Sequence, residues 1–165
     1  DPEVEACTMS EYYEAYPPVK VVSLPEGSWG QGGFHWIWLN DWTSWTWKHI
    51  YEDERIMRKT AALYGARKDE PLASLMKQLA RELVLLESSD WQFLISTWSA
   101  RDYAETRFTR HHEDFRTILA LVGKAAAGEA LTEGDREVFH AISERDKIFD
   151  LIDPSWWAKV EKPAK

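Results

Sequence analysis

From residue 72 onwards apolar residues recur at helical spacing. Leu72, Leu75, Met76, Leu79, Leu83 and Leu86 stand three and four apart, which puts them on one face of a helix and the polar residues on the other. Asp69 reads as its N-cap, with Pro71 in the first turn. An earlier long helix spans Trp45 to Tyr64, starts near Asp41 or Thr43, and is closed by Gly65. Ser88-Ser89-Asp90 caps a third, from Trp91 towards Trp98. A fourth runs from Ala100 to Val122 and stops at Gly123, with Tyr103, Phe108, Phe115, Ile118, Leu119 and Val122 on its buried side. After a flexible link from Gly123 to Thr132, Thr132 caps a fifth helix, which carries Val138, Phe139, Ile142 and Phe149 and ends at Pro154. The Lys-rich tail over 159–165 is expected to fray. Short links make consecutive helices antiparallel. The fold class is therefore all-α, an antiparallel bundle of about four to five helices.

The first forty residues break this pattern. Thr8 to Tyr16 predicts a short helix with a Thr8–Glu11 capping box, stopped by Pro17-Pro18. Val19 to Leu24 reads as extended, and Pro25 to Gly33 as a glycine-rich loop. The 165 residues suit one helical domain with one core. Its parts are an irregular aromatic segment over 1–41, the bundle over 42–153 and a tail over 154–165.

Charge narrows the partners. With 20 Lys and Arg against 28 Asp and Glu, the net charge is −8, so nucleic acid and anionic membranes repel the chain. No apolar run approaches the roughly 18 residues of a membrane span. No stretch reads as a signal peptide. The one cysteine, Cys7, allows no internal disulfide, which fits a reducing, cytoplasmic compartment. Cys7 falls in the early helix with no His beside it, so it is not a nucleophile candidate. The chain begins Asp1-Pro2 without Met, as expected of a processed chain or a piece of a longer one.

Aromatic content changes the picture more. Of ten Trp, six (Trp29, Trp36, Trp38, Trp42, Trp45 and Trp47) crowd into one short stretch with Gly27, Gly30, Gly32 and Gly33. Glycines let backbone turn tightly and approach a ligand. Indoles offer flat apolar faces with a polar edge. That mixture suits a sugar ring, whose C–H face stacks while its hydroxyls bond to His, Asn or Asp. If the stretch is extended, Trp36 and Trp38 point to one side with Phe34. With Trp29 opposite, they line a groove for a chain of glucose units. Trp42, Trp45 and Trp47, near the long helix, are expected to pack into the core. No Gly-Lys-Ser/Thr follows, so this is no phosphate loop.

Other constellations read as structure. Asp90-Trp91 suggests a cap with a buried indole that could still face the groove. His111-His112-Glu113-Asp114 lies mid-helix, where neighbours diverge by about 100°; only His111 and Asp114 share a face, too few for a metal centre. A solvated polar face is expected there, and likewise for His140 and Glu144. Glu52-Asp53-Glu54-Arg55 and Arg101-Asp102 read as solvated faces or intrahelical ion pairs. No catalytic acid/base pair, no metal site and no cofactor motif emerges.

The run Gly-Ser-Trp-Gly-x-Gly-Gly-x-His-x-x-Trp-x-Asn, from Gly27 to Asn40, resembles the C-terminal region of glycoside hydrolase family 57 α-glucan branching enzymes. Trp45-Thr46-Trp47, Ser89-Asp90-Trp91-Gln92-Phe93-Leu94-Ile95, Ala100-Arg101-Asp102-Tyr103-Ala104 and Arg107-Phe108 extend the likeness over roughly 20–122. The resemblance implies a retaining transfer that cuts α-1,4 linkages and rejoins the segment by α-1,6. A Glu nucleophile and an Asp acid/base do this on a preceding incomplete β/α barrel, absent from these residues. It further implies that Trp29 and Trp38 line the glucan cleft, with Gly27, Gly30, His35 and Asn40 shaping the loop. Trp36 and Asp90 are added candidates, and the partners are an α-glucan and the missing barrel. Two alternatives stay open: the same domain of a family 57 amylase or 4-alpha-glucanotransferase, and a helical protein-interaction module.

Overall fold

The computed structural model describes residues 4–158. Six α-helices follow one another: α1 (Met9–Ala15), α2 (Ser44–Tyr64), α3 (Leu72–Leu86), α4 (Asp90–Thr97), α5 (Arg101–Ala126) and α6 (Glu133–Arg145). Short 3-10 turns form at Gln31–Gly33 and Pro154–Ala158. No strand occurs among the described residues, and no described helix is long and apolar enough to cross a membrane. The frayed tail expected over 159–165 lies outside the described residues.

The predicted caps work at both ends of the chain. The Thr8 N–H donates to Glu11 at 2.7 Å, and the Glu11 N–H donates back to the Thr8 hydroxyl, which satisfies two of the donors that a helix start leaves free. Thr132 and Asp135 repeat the device at α6. Lys124, at the end of α5, adds an ammonium 2.8 Å from Asp135. That ammonium, and then the cap, hold the Asp135 carboxyl down at about 2.

The α3 stripe forms the centre of the core. Leu75, Leu79, Leu83 and Leu86 are fully enclosed, against Met57 of α2, Ile95 of α4, and Phe108, Phe115 and Ile118 of α5. α2 and α3 run antiparallel: the Gly65 end of α2 adjoins Ala73 to Lys77, and Glu54 meets Glu87 at the other end. α2 and α5 instead run parallel, since Trp45 meets Phe108 while Asp53, two turns on, meets His112 and Arg116. The antiparallel rule holds for the short α2–α3 link. It does not govern helices separated by two others.

Several boundaries move. α5 continues through Gly123 to Ala126. The buried Leu121 and Val122 anchor that turn, helix-forming Lys and Ala follow, and Gly128, at φ 77°, supplies the left-handed stop. Tyr103, expected inside, is exposed. α6 stops at Arg145, well short of Pro154, with Ile142 its one buried residue and Phe149 beyond its end at φ 57°. The segment from Pro154, expected as tail, packs on α2, with Pro154 itself buried. Asp69 does not cap α3, because its carboxylate is held by Arg67 at 2.6 Å; Glu70 bonds Ser74 instead. Cys7 lies just before α1 rather than in it. Residues 19–24 have no regular structure and leave Val19, Val21, Val22 and Leu24 exposed.

Candidate functional site

The glycine-rich segment closes on itself. The Ser28 N–H donates to the Gly33 carbonyl at 2.9 Å, and the Ser28 hydroxyl donates to the Phe34 carbonyl at 2.6 Å while accepting the Gly30 N–H. Gly32 and Gly33 take φ of 69° and 78°, which suits glycine alone. Gly30 is buried, and a Cβ there would lie 2.6 Å from the Phe34 carbonyl oxygen and 3.2 Å from the Trp38 ring. The closed loop holds Trp29 outward, with 74% of its surface exposed.

Trp29 is open but not mobile in isolation. Its ring meets Trp38 edge to face at 5.1 Å and Phe93 of α4 at 5.2 Å. The half-buried Trp38 is fixed in turn, because its carbonyl accepts from the Trp47 indole at 2.8 Å and the Thr43 hydroxyl at 2.9 Å. Trp29 therefore does not stand across a groove from Trp38. The two rings form one corner of a wall.

Trp36 and Trp38 part company. The His35 carbonyl accepts from the N–H groups of Trp38 and Leu39, so the chain turns here instead of extending. In such a turn residues two apart diverge by about 200°. Trp36 goes to Trp42 at 5.8 Å, Trp42 continues to Trp98 at 5.7 Å, and the Arg101 guanidinium covers Trp98 at 4.6 Å. Trp42 is thus a surface residue rather than core. Trp45, also expected in the core, is exposed with its ring edge-to-face with Phe108 at 5.0 Å, and Trp47 is partly buried. Phe34 stands apart and exposed, beside a shallow depression of about 340 Å³ lined by Gln31, Gly32, Phe34, Trp36 and Ile37.

Asn40 holds the segment together. Its amide donates to the Trp36 carbonyl and the Ser96 hydroxyl, both at 2.7 Å, and its side-chain oxygen accepts the Trp42 N–H at 2.9 Å. Ser96 then donates to the Ile37 carbonyl at 2.6 Å. These bonds rivet residues 36–42 to α4 and leave the Asn40 amide fully engaged. The side chain of His35 is exposed and hydrogen-bonded to nothing among the described residues, and Gly27 is exposed as well. Asp90 is exposed in the first turn of α4, one turn before Phe93 and so on the same face. Its neighbour Trp91 is buried and donates to the Leu85 carbonyl at 2.8 Å, though no side chain caps this helix. Sequence reasoning missed Phe93 as a support for Trp29. No local signal could have found it, because the contact joins residues 64 apart in the chain.

The histidine run of α5 is not a solvated face. Neighbouring positions face different partners: His111 turns to α3 and His112 to α2. His111, fully buried, bonds Glu82 at 2.8 Å and Arg107 at 3.0 Å, and Gln78 donates to Glu82 at 2.7 Å. Arg107 can only donate, so His111 accepts at Nε2 and donates to Glu82 from Nδ1. Asp146 lies beside this group with Arg145 at 3.0 Å, and Arg145 also bonds Asp114. His112 bonds Asp53, which is buried and not solvated as expected. Burial pushes the carboxyls of Glu82, Asp53 and Asp114 above their ordinary range, against the pull of the groups that bond or face them. Glu82, His111 and Asp146 bring three ligand atoms within 4.8 Å of one another. Arg107 and Arg145 already supply the positive charge, so the set acts as a crosslink between α3, α5 and the turn after α6.

With this geometry in hand, the likeness to known proteins can be placed. Residues 49–157 match the family model for the C-terminal region of 1,4-alpha-glucan branching enzymes. A branching enzyme of Thermococcus kodakarensis is 41% identical over 148 residues, covering 88% of this chain and 21% of that protein. The crystal structure of a GH57-type branching enzyme from Pyrococcus horikoshii superposes with a TM-score of 0.84 at 34% identity, over 94% of this chain and 29% of that one. A Thermococcus kodakaraensis GH57 branching enzyme, solved in complex with glucose, gives 0.79 at 37% identity, over 98% of this chain and 29% of that one. The chain spans between a fifth and a third of the length of these relatives.

Proposed function

We propose a function from one premise: this chain belongs to the family of 1,4-alpha-glucan branching enzyme C-terminal domains. It is a non-catalytic part that walls the glucan cleft of a retaining branching enzyme. The cleaving and transferring carboxylates belong to a β/α barrel that accompanies it. One observation carries this reading. Trp29 stays 74% exposed while the loop beneath it is hydrogen-bonded shut, an arrangement that costs apolar exposure and yields a rigid stacking face.

Each candidate then has a part. Trp29 stacks on the glucan, and Trp38 and Phe93 hold its angle. Gly27 and Gly30 shape the loop, and Asn40 locks it to α4. His35 and Asp90 border the wall as hydroxyl-bonding groups, and Trp36 offers a second exposed ring on the side of Trp42 and Trp98. Transfer needs a sugar acceptor to outcompete water. A stationary aromatic wall orients the acceptor and excludes solvent from the cleft. Stacking also tolerates many hydroxyl patterns, which suits a polymer. No step in this scheme draws on a cofactor, and the partners are an α-glucan and the barrel. The acidic charge and single cysteine favour the cytoplasm and argue against nucleic-acid or membrane partners.

Titration of the chain with maltoheptaose, followed by tryptophan fluorescence, tests this. A saturable change that disappears in Trp29→Ala, with the circular dichroism spectrum retained, is the expected result. An equal response from the variant would sink the assignment of Trp29.

A further inference from the structure

We propose that His49 and His112 form a two-histidine site for a divalent transition-metal ion in the cleft between α2 and α5. The parallel pairing of these helices brings residues together in register. Trp45 faces Phe108, His49 faces His112, and Asp53 faces Arg116. Each rung is one helical turn from the last, so the two imidazoles lie between an apolar rung and a charged one.

The rings are 4.3 Å apart, centre to centre, and tilted by 52°. Two imidazoles sharing one ion at metal–nitrogen distances of about 2 Å have ring centres roughly 4.5 to 5.5 Å apart. The observed spacing is slightly shorter, so the rings must move apart to admit an ion. His112 carries one feature of a ligand. Its Nδ1 lies 2.7 Å from Asp53, so in the neutral ring that bond keeps the proton on Nδ1 and leaves the Nε2 lone pair free. A buried carboxylate behind an imidazole is the usual support of a metal-bound histidine. Asp53 is itself held by Arg116, 2.8 Å from its second oxygen, although off the line of a good hydrogen bond. Arg116 also reaches Glu52 at 3.1 Å.

His49 brings the second nitrogen. Neither of its ring nitrogens is hydrogen-bonded among the described residues. The His112 side chain keeps 19% of its surface exposed, which gives an ion and its waters access. Imidazole nitrogens favour Zn²⁺, Ni²⁺ and Cu²⁺ over Mg²⁺ and Ca²⁺, which want oxygen. Two protein ligands are fewer than a structural or catalytic metal centre uses, so waters fill the other positions and binding is of only micromolar strength. The Glu82–His111–Asp146 group offers no rival site, because Arg107 and Arg145 occupy its cationic side.

Calorimetric titration of the untagged chain with Zn²⁺ or Ni²⁺ is the test. Binding of one ion with a dissociation constant below about 100 µM is expected. His49→Gln and His112→Gln each weaken it at least about tenfold, whereas His140→Gln, on the exposed face of α6, leaves it unchanged. Asp53→Asn keeps both imidazoles and still weakens binding about 10–100-fold. Far-UV circular dichroism identifies any variant that fails to fold, and the half-exposed His49 gives the variant least able to disturb the core. No saturation by about 1 mM of either metal, or undiminished binding by His49→Gln, overturns the proposal.

Discussion

In the seam between α3 and α5, leucines and phenylalanines are enclosed and the few polar groups are crosslinked among themselves. In residues 27–43 the arrangement is inverted. There Ser28, Asn40 and Thr43 point inward to hold the backbone, and Trp29, Phe34, Trp36 and Trp42 point out. Both regions pair most of their buried polar groups, with Arg107 Nε in the seam left unpaired, but they spend their apolar surface differently. The seam uses it for stability. The loop keeps it available and obtains its rigidity from hydrogen bonds. Stability and ligand contact are thereby placed on different side chains, so mutations can separate them.

The largest effect expected is in the seam. Leu79→Ala removes a fully enclosed side chain and should cost about 2–5 kcal/mol of unfolding free energy, read by urea denaturation. A loss below about 1 kcal/mol would mean the seam is not the stability-bearing region. Next is Asn40→Ala. It strips three hydrogen bonds from the hinge of the loop and should cost about 1–3 kcal/mol. Maltooligosaccharide binding should fall with it, because Trp29 loses its support. Trp29→Ala should change unfolding free energy by less than about 1 kcal/mol, since most of the ring is already in water, yet abolish the fluorescence response to sugar. If it destabilises the chain as much as Leu79→Ala does, the contrast between the two regions is wrong.

The smallest effect concerns the α2–α3 contact. Burial, and then Glu54, push Glu87 up to about 7, with Arg58 pulling the other way. A carboxyl whose folded pKa is raised is easier to keep neutral in the fold than in the open chain. Its contribution is full below the unfolded value near 4.5 and is lost as pH rises through about 7. The melting temperature should therefore fall slightly between pH 5 and pH 8, and Glu87→Gln should flatten that slope. An unchanged slope in the variant would assign the pH dependence to other groups.

Much of the bundle was legible beforehand. The α3 stripe, the Thr8 and Thr132 capping boxes and the closing Gly65 all express rules that operate within a few residues. The misreadings share a cause as well. Gly123 looked like a stop, but neighbouring buried residues carried α5 past it. His111 and His112 looked solvated, because nothing local reveals that α5 has neighbours on two sides. Trp42 looked like core because bulk and position suggested burial, while the turn at His35 sent it outward with Trp36 and Trp98. At the candidate site, the exposure of Trp29 could be anticipated from its glycines. Its contact with Phe93, from a helix more than fifty residues away, could not.

What the sequence determined on its own was therefore short-range: helical periodicity, caps, a flexible glycine loop and an aromatic surplus too large for a core of this size. Only the tertiary structure decided which face of each helix meets which neighbour, and so which polar side chains are buried in pairs and which indoles stay in water. The physical reason is that backbone and capping preferences act over one or two turns of chain. Burial and pairing depend on groups brought together across it, and a parallel α2 and α5 are not written in any local pattern.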